Sequence, residues 1–314
     1  MEYIYLLIAC AFFSLQFICQ KLFERRTLGG LGVCLWNLIV CCTVGSIFLV
    51  IKSGFPTQFT WGAFLLAFLT SACGIICSVS TITAMSYGKV SVVTTFCLAG
   101  GMIVPFVFGI AALGETAGLF KWIGMAILCL SLLPTLLQKS DNASEKKNNT
   151  MFIICNVLIF LTNGTISVFS KIHQISSFAV DETSYLCTSA AIRFVTSVLI
   201  LLFLAAIKKQ KGDQAALKNT LWEIGKEKMT SKLYIYLIVV SGAYAVCNTL
   251  GETFNLYCMK TMDASIQFPV LSAVVIVMGA IFGRIFFKEK ITKDSALSLI
   301  LSVIGIGLFM IGSF

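Results

Sequence analysis

Apolar runs of membrane-spanning length alternate with short polar connections along most of the chain. Several of these runs exceed the roughly 18 apolar residues that mark a transmembrane helix. Hydropathy predicts ten spans, at about residues 3–21, 30–51, 60–86, 90–112, 117–138, 151–171, 183–207, 233–259, 264–287 and 294–313. The pattern therefore predicts an all-α integral membrane protein with ten transmembrane helices.

Two connections are longer than the others and organise the chain. The first, KSDNASEKKNN, follows the fifth span and leaves five spans on either side of it. It predicts a five-helix unit over residues 1–138, a linker over 139–150 and a second five-helix unit over 151–314. In the second, after the seventh span, Leu217, Leu221 and Ile224 recur at helical spacing among lysines. That spacing predicts an amphipathic helix on the membrane surface.

A weak internal repeat relates the two units. A shift of 174 residues aligns AMSYGKVSVV, from Ala84, with CMKTMDASIQ, from Cys258, without gaps. Because each unit has an odd number of spans, the second must enter the membrane in the opposite orientation. Inverted repeats with a binding site between them near the bilayer midplane are a recurring transporter architecture. We therefore expect two inverted five-helix repeats around a central cavity.

Composition supports the membrane prediction and narrows the chemistry. The 314 residues are 58% hydrophobic and 12% charged, whereas soluble domains carry about 25% charged residues. All thirteen cysteines fall in apolar runs, where they act as small apolar residues, and the only histidine, His173, is predicted to lie in a short loop with a structural role. The spans offer neither a metal cluster nor a nucleophile beside a base, so we expect no enzyme, no cofactor and no metal.

The net charge of +9 is distributed unevenly among the connections. Of the 23 lysines and arginines, 18 lie in connections after odd-numbered spans and four lie after even-numbered spans. Positive charge prefers the cytoplasm, so the odd-numbered connections are predicted to be cytoplasmic and both termini to lie outside. We expect these basic connections to lie against anionic lipid, and not to bind nucleic acid.

Two ionisable residues, Glu252 and Arg193, lie deep inside predicted spans. At 1.5 Å per residue, both lie about 12 to 15 Å below the same surface, and Asn163 reaches a similar depth. An ionisable group inside a membrane span costs about 2.5 to 3.5 kcal/mol and marks a functional site by default. We therefore predict that these residues bind a solute or a proton. The alternative is a structural ion pair of Glu252 with Arg193 that locks two helices.

Neighbouring polar and aromatic residues complete the predicted site. Asn248 and Asn255 share a helical face with Glu252, and Gln267 comes from the ninth span. Asn163 and Asn248 could equally serve as hydrogen-bond partners between helices. The third span supplies hydroxyls, and the eighth supplies aromatic rings that would attract a cation; these residues are Ser78, Ser80, Thr81 and Thr83, and Tyr244, Phe254 and Tyr257.

Glycines and carboxylates elsewhere are predicted to have structural roles. Gly100 and Gly101, in the stretch LAGGM, predict close packing of helices. Glu115 and Glu289 lie at the ends of connections, where a carboxylate favours the N-terminus of a helix, so both are predicted to cap helices.

The organisation resembles the drug/metabolite transporter superfamily, EamA type, across essentially the whole chain. The first repeat departs from the family pattern at Asn37 and Thr95. The residues that carry the resemblance are Leu113-Gly114-Glu115, Lys288-Glu289, Pro269, Arg193-Phe194, and Lys21 and Lys171 at the ends of the first and sixth spans. The resemblance implies a secondary active transporter of a small organic solute in the cell membrane. It also implies the orientation opposite to the one that the charges favour, with both termini in the cytoplasm.

The predicted function is therefore transport of an amino acid, an amine or a drug-like solute by a proton-coupled exporter or exchanger. The alternatives are an importer of a cationic metabolite such as a quaternary amine, and a channel or structural membrane subunit. The expected partners are the solute, membrane lipid and, for a coupled carrier, protons. The chain is expected to be a monomer or a homodimer.

Overall fold

The computed structural model of the protein describes residues 2–27, 31–87, 90–137, 149–210, 224, 230–287 and 293–312. Within these ranges the chain forms ten helices: α1 Glu2–Arg26, α2 Leu31–Ser53, α3 Trp61–Tyr87, α4 Val90–Ala112, α5 Leu119–Leu137, α6 Asn149–Ile175, α7 Glu182–Gln210, α8 Ser231–Thr261, α9 Ala264–Phe287 and α10 Lys293–Ile311. The predicted all-α class is confirmed.

Eight of these helices, α1 to α4 and α6 to α9, are long and apolar enough to cross a membrane. The other two, α5 and α10, have 19 residues each, with shorter apolar stretches over Leu119–Ser131 and Leu299–Phe309. The chain is therefore a multi-pass integral membrane protein with eight candidate spans among its described residues. The spans predicted at α5 and α10 stay predictions.

The contacts of each helix in the first half correspond to those of the helix five places later. Helix α1 packs against α8 and α9, as α6 packs against α3 and α4. Helix α2 packs against α7 and α8, as α7 packs against α2 and α3. Helices α5 and α10 pack against each other, where Ser302 Oγ donates to Ser131 Oγ at 3.2 Å.

The crossing of α4 and α6 is the closest approach of two helix backbones at glycine. A Cβ atom on Gly100 would lie 2.1 Å from the carbonyl oxygen of Phe160, and one on Gly164 would lie 2.7 Å from the carbonyl oxygen of Gly100. A Cβ on Gly101 would lie 2.8 Å from Nδ2 of Asn163. The prediction that Gly100 and Gly101 serve close helix packing is confirmed.

Four connections meet at one end of the bundle, here called face A: residues 54–60, 113–118, 176–181 and 262–263. The side chain of Gln58 accepts a hydrogen bond from the backbone N–H of Asp181 at 2.9 Å. A salt bridge joins Lys260, at the end of α8, to Glu182, at the start of α7. Contacts between connections thus tie the helix ends together at face A.

His173 differs from its predicted location. It lies in the last turn of α6 and not in a loop, and its ring is buried against the connection that follows the helix. Its Nε2 accepts a hydrogen bond from the backbone N–H of Val180 at 3.2 Å, and its ring stacks on Tyr185 at a centroid distance of 3.9 Å. Both contacts fit the predicted structural role.

Some predicted features lie partly or wholly outside the described residues. Leu217, Leu221 and Glu289 are among these, whereas Ile224 is described and is buried against Phe23, Trp36 and Leu237. All thirteen cysteines are free and buried or half-buried, as their apolar surroundings predict.

Candidate functional site

A cavity of about 260 Å³ lies at the centre of the bundle. All eight long helices contribute to its lining, whereas α5 and α10 do not. Six of the predicted site residues line it: Glu252, Arg193, Asn163, Asn248, Asn255 and Tyr244. The sequence predicted similar depths for Asn163, Arg193 and Glu252, and the structure places these residues of α6, α7 and α8 around one cavity.

The remaining predicted site residue, Gln267, lies behind the cavity wall and not in it. Its side chain is fully buried, and its Nε2 donates to the backbone oxygen of Asn255 at 2.9 Å and to Oδ1 of Asn255 at 2.8 Å. These two contacts fix the orientation of the Asn255 side-chain amide in the cavity wall. Gln267 thus orients Asn255, which lines the cavity. Gln267 was predicted to contact the solute or proton directly, but it lies one layer behind the cavity wall.

A chain of hydrogen bonds crosses the cavity wall between α1 and α8. Asn248 Nδ2 donates to Gln16 Oε1 at 3.1 Å, and Gln16 Nε2 donates to the hydroxyl of Tyr244 at 3.0 Å. Gln16 was missed by the sequence reasoning, although a glutamine inside the first apolar run is itself a signal of a polar interior. The side chains of Gln16, Tyr244 and Asn248 thus form one polar edge of the cavity wall, made of two amide groups and one hydroxyl group.

Two asparagines on other walls bind neighbouring helices. Asn163 Nδ2 donates to the backbone oxygen of Cys97 on α4 at 2.7 Å. Asn37, on α2, accepts at Oδ1 from the hydroxyl of Ser241 on α8 at 2.7 Å. The alternative that asparagines link helices is therefore confirmed for Asn163, and also for Asn248, which donates to Gln16 of α1. Both residues line the cavity as well.

The two deep charges face the cavity without forming an ion pair. Both Arg193 and Glu252 are described, and no nitrogen of the one lies within 4.0 Å of a carboxylate oxygen of the other, so this structure shows no salt bridge between them. The alternative of a structural ion pair stays a prediction. Within the described residues, Nε of Arg193 is buried and has no hydrogen-bond partner.

The absence of a side chain at Gly74 gives the guanidinium room against α3. A Cβ atom at that position would lie 3.4 Å from both Nε and Cζ of Arg193. A partly desolvated arginine without an anionic partner is costly in a membrane interior, and the guanidinium presents its donors as a planar fork.

A smaller cavity, of about 120 Å³, lies beside the central one and shares Arg193 and Glu252 with it. Hydroxyl groups line it: those of Thr70, Ser170, Tyr185, Ser189 and Thr249. Thr70 and Tyr185 hydrogen-bond to each other at 2.9 Å. The smaller cavity thus extends from Arg193 and Glu252 toward face A, near which Tyr185 lies in the first turn of α7.

The remaining predicted lining residues divide between the cavity and other surroundings. Ser78 and Thr81 line the central cavity, whereas Ser80 and Thr83 do not. Phe254 and Tyr257 line neither cavity, because they lie on another side of α8, where Phe254 stacks on Tyr5 and Tyr257 packs against Tyr5 at a tilted angle. Among the described residues, no group of three or more His, Cys, Asp and Glu side chains could hold a metal ion.

Comparison with known proteins identifies relatives of this architecture. The model of the EamA-like transporter family, which is part of the drug/metabolite transporter superfamily, matches residues 150–311, more than half of the chain. A solved structure described only as "Crystal structure of protein" is similar to the chain with a TM-score of 0.64 at 11% identity, over 98% of this chain and 95% of that one. At that identity the likeness concerns the fold alone. No curated protein sequence matches the chain.

Proposed function

Because the chain belongs to the EamA-like transporter family, we propose that it is a secondary active transporter of a small organic metabolite, which binds in the central cavity. The observation that carries the proposal is the arrangement of Glu252 and Arg193, two opposite charges that line one cavity without pairing. A solute that bears a cationic and an anionic group would satisfy both charges at once. An ion channel, by contrast, usually carries rings of like charge.

The size and polarity of the cavity favour a small solute. Its volume of about 260 Å³ lies just below the roughly 300 to 1,000 Å³ of sites for drug-sized ligands. An amino acid would place its ammonium group at Glu252 and its carboxylate at Arg193, with amide groups of Asn248 and Asn255 beside it. Among the predicted substrates, amino acids therefore fit best, ahead of simple amines and drug-like solutes.

We also propose that the ten helices form two inverted repeats of five. Support comes from the packing of the helices. The contacts of α1 and α2 become those of α6 and α7 when every helix is replaced by the one five places away in the chain. Further support comes from the family match to residues 150–311, which coincides with the second predicted repeat. In this arrangement α5 and α10 are equivalent peripheral helices that brace each other outside the cavity wall.

Proton coupling is assigned to Glu252 in this proposal. The carboxylate lines both cavities and is free of an ion pair, so it can exchange a proton for the cationic group of a solute. This exchange would make the transporter a proton-coupled exporter or exchanger.

A second candidate substrate is a quaternary amine, taken up by an importer. The ring of Tyr244 and the carboxylate of Glu252 line the same cavity, and together they offer cation–π and electrostatic contacts. Arg193 would then face no anionic group of the substrate, unless the amine also carries a carboxylate, as glycine betaine does.

Counterflow in proteoliposomes tests the transport proposal. Vesicles loaded with unlabelled alanine, glycine betaine or a monoamine are diluted into the same solute in labelled form. A carrier accumulates label transiently by exchange, whereas a channel or a structural subunit shows no trans-stimulation. Transient accumulation of alanine above empty liposomes is the expected result, and its absence for every solute of a broad metabolite panel would contradict a carrier.

A further inference from the structure

The turn between α8 and α9 is held by two charged side chains from other parts of the protein. Only Met262 and Asp263 separate the two helices. Glu115, from the connection after α4, and Lys171, from α6, both bind backbone groups of this turn and the helix ends beside it. Neither Glu115 nor Lys171 is among the residues that line the two cavities.

The carboxylate of Glu115 caps the start of α9. Its Oε1 accepts from the backbone N–H of Ala264 at 2.8 Å, and its Oε2 accepts from that of Ser265 at 2.7 Å. The first N–H groups of a helix have no partner inside the helix, and a negative charge there is favourable. The predicted capping role of Glu115 is confirmed, with the capped helix 149 residues further along the chain.

Glycines on either side of α4's end bring Glu115 to that position. Gly114 adopts a left-handed φ of +67°, which glycine tolerates without a steric penalty, and the backbone N–H of Glu115 then donates to the oxygen of Gly109 at 3.0 Å. A Cβ atom on Gly109 would lie 2.5 Å from Oε2 of Glu115. The stretch around Leu113-Gly114-Glu115 thus folds to deliver a carboxylate to α9.

Lys171 binds the other side of the same turn. Its side chain is buried, and Nζ donates to the backbone oxygens of Met259 at 2.8 Å and Met262 at 2.7 Å. Carbonyls at the end of a helix lack partners inside the helix and favour a positive charge. The end of α8 and the start of α9 are therefore joined to α6 and to the α4–α5 connection by opposite charges.

This turn carries part of an apolar cluster between the cavities and face A, which we call the plug. Leu256 and Met259 of α8 and Ala264 and Phe268 of α9 are buried in it with Tyr185. Leu256 and Tyr185 also line the smaller cavity, and Phe268 lines the central one. The plug thus closes the polar space on the side of face A, and the turn holds half of it in place.

We propose that Glu115 and Lys171 are positioning residues of the transport cycle, a latch that holds the α8–α9 turn and keeps the plug closed at face A. The proposal rests on the proposed function, because a closed face has meaning only if solute crosses it. Opening toward face A requires release of these four hydrogen bonds, so the latch sets how often the cavity communicates with that face.

Labelling of a native cysteine from face A tests the latch. Cys41 lines both cavities, and its reaction with an impermeant cationic thiosulfonate can be followed by peptide mass spectrometry in sealed vesicles with reagent at face A only. Lys171→Met and Glu115→Gln each remove a charge-assisted contact, so the labelling rate should rise by about tenfold or more. The labelling rate can be measured without knowing which solute the protein binds.

Two matched variants control for general loosening of face A. Lys121 is also a buried lysine, and its Nζ donates to the backbone oxygen of Thr116 at 2.8 Å. Asp181 also caps a helix, since its Oδ2 accepts from the backbone N–H of Ser184 at 2.9 Å. Neither binds the α8–α9 turn, so Lys121→Met and Asp181→Asn should label at a rate within about twofold of the native protein.

Gly109→Ala provides a further variant that leaves both charges in place. Its methyl group would displace the Glu115 carboxylate, and it too should raise labelling from face A. Unchanged labelling in whichever of the three latch variants fold, or an equal increase in the controls, would overturn the proposal. Faster labelling without counterflow of any solute would support the latch and count against the proposed transport function, so the two failures are distinguishable.

Discussion

Substitution of Gly100 by alanine tests whether the close crossing of α4 and α6 builds the cavity wall. The added Cβ would lie 2.1 Å from the carbonyl oxygen of Phe160, whereas real Cβ contacts essentially never fall below 3.0 Å. The helices must therefore separate locally by about 0.9 Å or more. Because the obstacle is backbone, no side-chain rotation can relieve it.

The expected loss of stability follows from two opposing effects. Overpacking costs about 1 to 3 kcal/mol, and a backbone obstacle belongs at the upper end of that range. Alanine regains about 0.5 to 1 kcal/mol over glycine in a helix. The net expectation is a loss of about 2 kcal/mol in the free energy of unfolding.

The assay is unfolding in mixed micelles with increasing SDS, followed by helical circular dichroism. Gly307→Ala is the matched control, because a Cβ at that position of α10 has nothing within 4 Å. It should be neutral or stabilising by up to about 1 kcal/mol. If Gly100→Ala is as stable as Gly307→Ala, the close crossing does not exist in the membrane protein.

The same substitution should reach the site, because α6 carries Asn163 one turn beyond Phe160. Asn163 holds α4 through its 2.7 Å hydrogen bond to the oxygen of Cys97. A separation of the helices would stretch that bond and move the Asn163 side chain in the cavity wall. Weaker solute binding is therefore expected alongside the loss of stability.

Three further predictions concern single residues. Gln267→Leu should cost about 1 to 3 kcal/mol of stability and weaken solute binding, because Asn255 loses two hydrogen bonds. Gln267→Glu keeps at most one of the two bonds, since a protonated carboxyl has a single O–H, and should weaken binding less. Binding equal to that of the native protein in both variants would refute the indirect role. Alanine substitutions of Arg193 and Glu252 should be additive in unfolding free energy within about 0.5 kcal/mol, and a strong coupling would mean that the two side chains pair. A single cysteine at Gln214, on a cysteine-free background, should resist an impermeant maleimide in intact cells until lysis, because that basic connection is predicted to be cytoplasmic; modification before lysis would reverse the orientation.

Residue depth could be read from the sequence because helix rise is constant along a span. This is why Arg193, Glu252 and Asn163 were placed together correctly from their distances to span ends. Depth does not specify which way a side chain points around its helix. Helices that are apolar on every side give little indication of which side faces the cavity, so Gln267 was assigned to the cavity wall instead of the layer behind it.

Tertiary partners account for the other differences. Glu115 could be predicted to cap a helix from its place at the end of a connection, but its partner is in the second half of the chain. His173 extends α6 because a backbone N–H from the following connection satisfies its ring, which no local pattern indicates. Gln16 was overlooked because its role depends on Asn248 and Tyr244, more than 200 residues away.

The central claim is that Glu252, unpaired in the cavity, binds the solute or the coupling proton. The most direct measurement is alanine uptake driven by a proton gradient in proteoliposomes, for the native protein, Glu252→Gln and the control Asp181→Asn, each checked for a monodisperse elution profile. Asp181 caps α7 and lines neither cavity. We expect Glu252→Gln to lose nearly all gradient-driven uptake and Asp181→Asn to retain it. Full uptake by Glu252→Gln, with the pH dependence of the native protein, would contradict this role of Glu252.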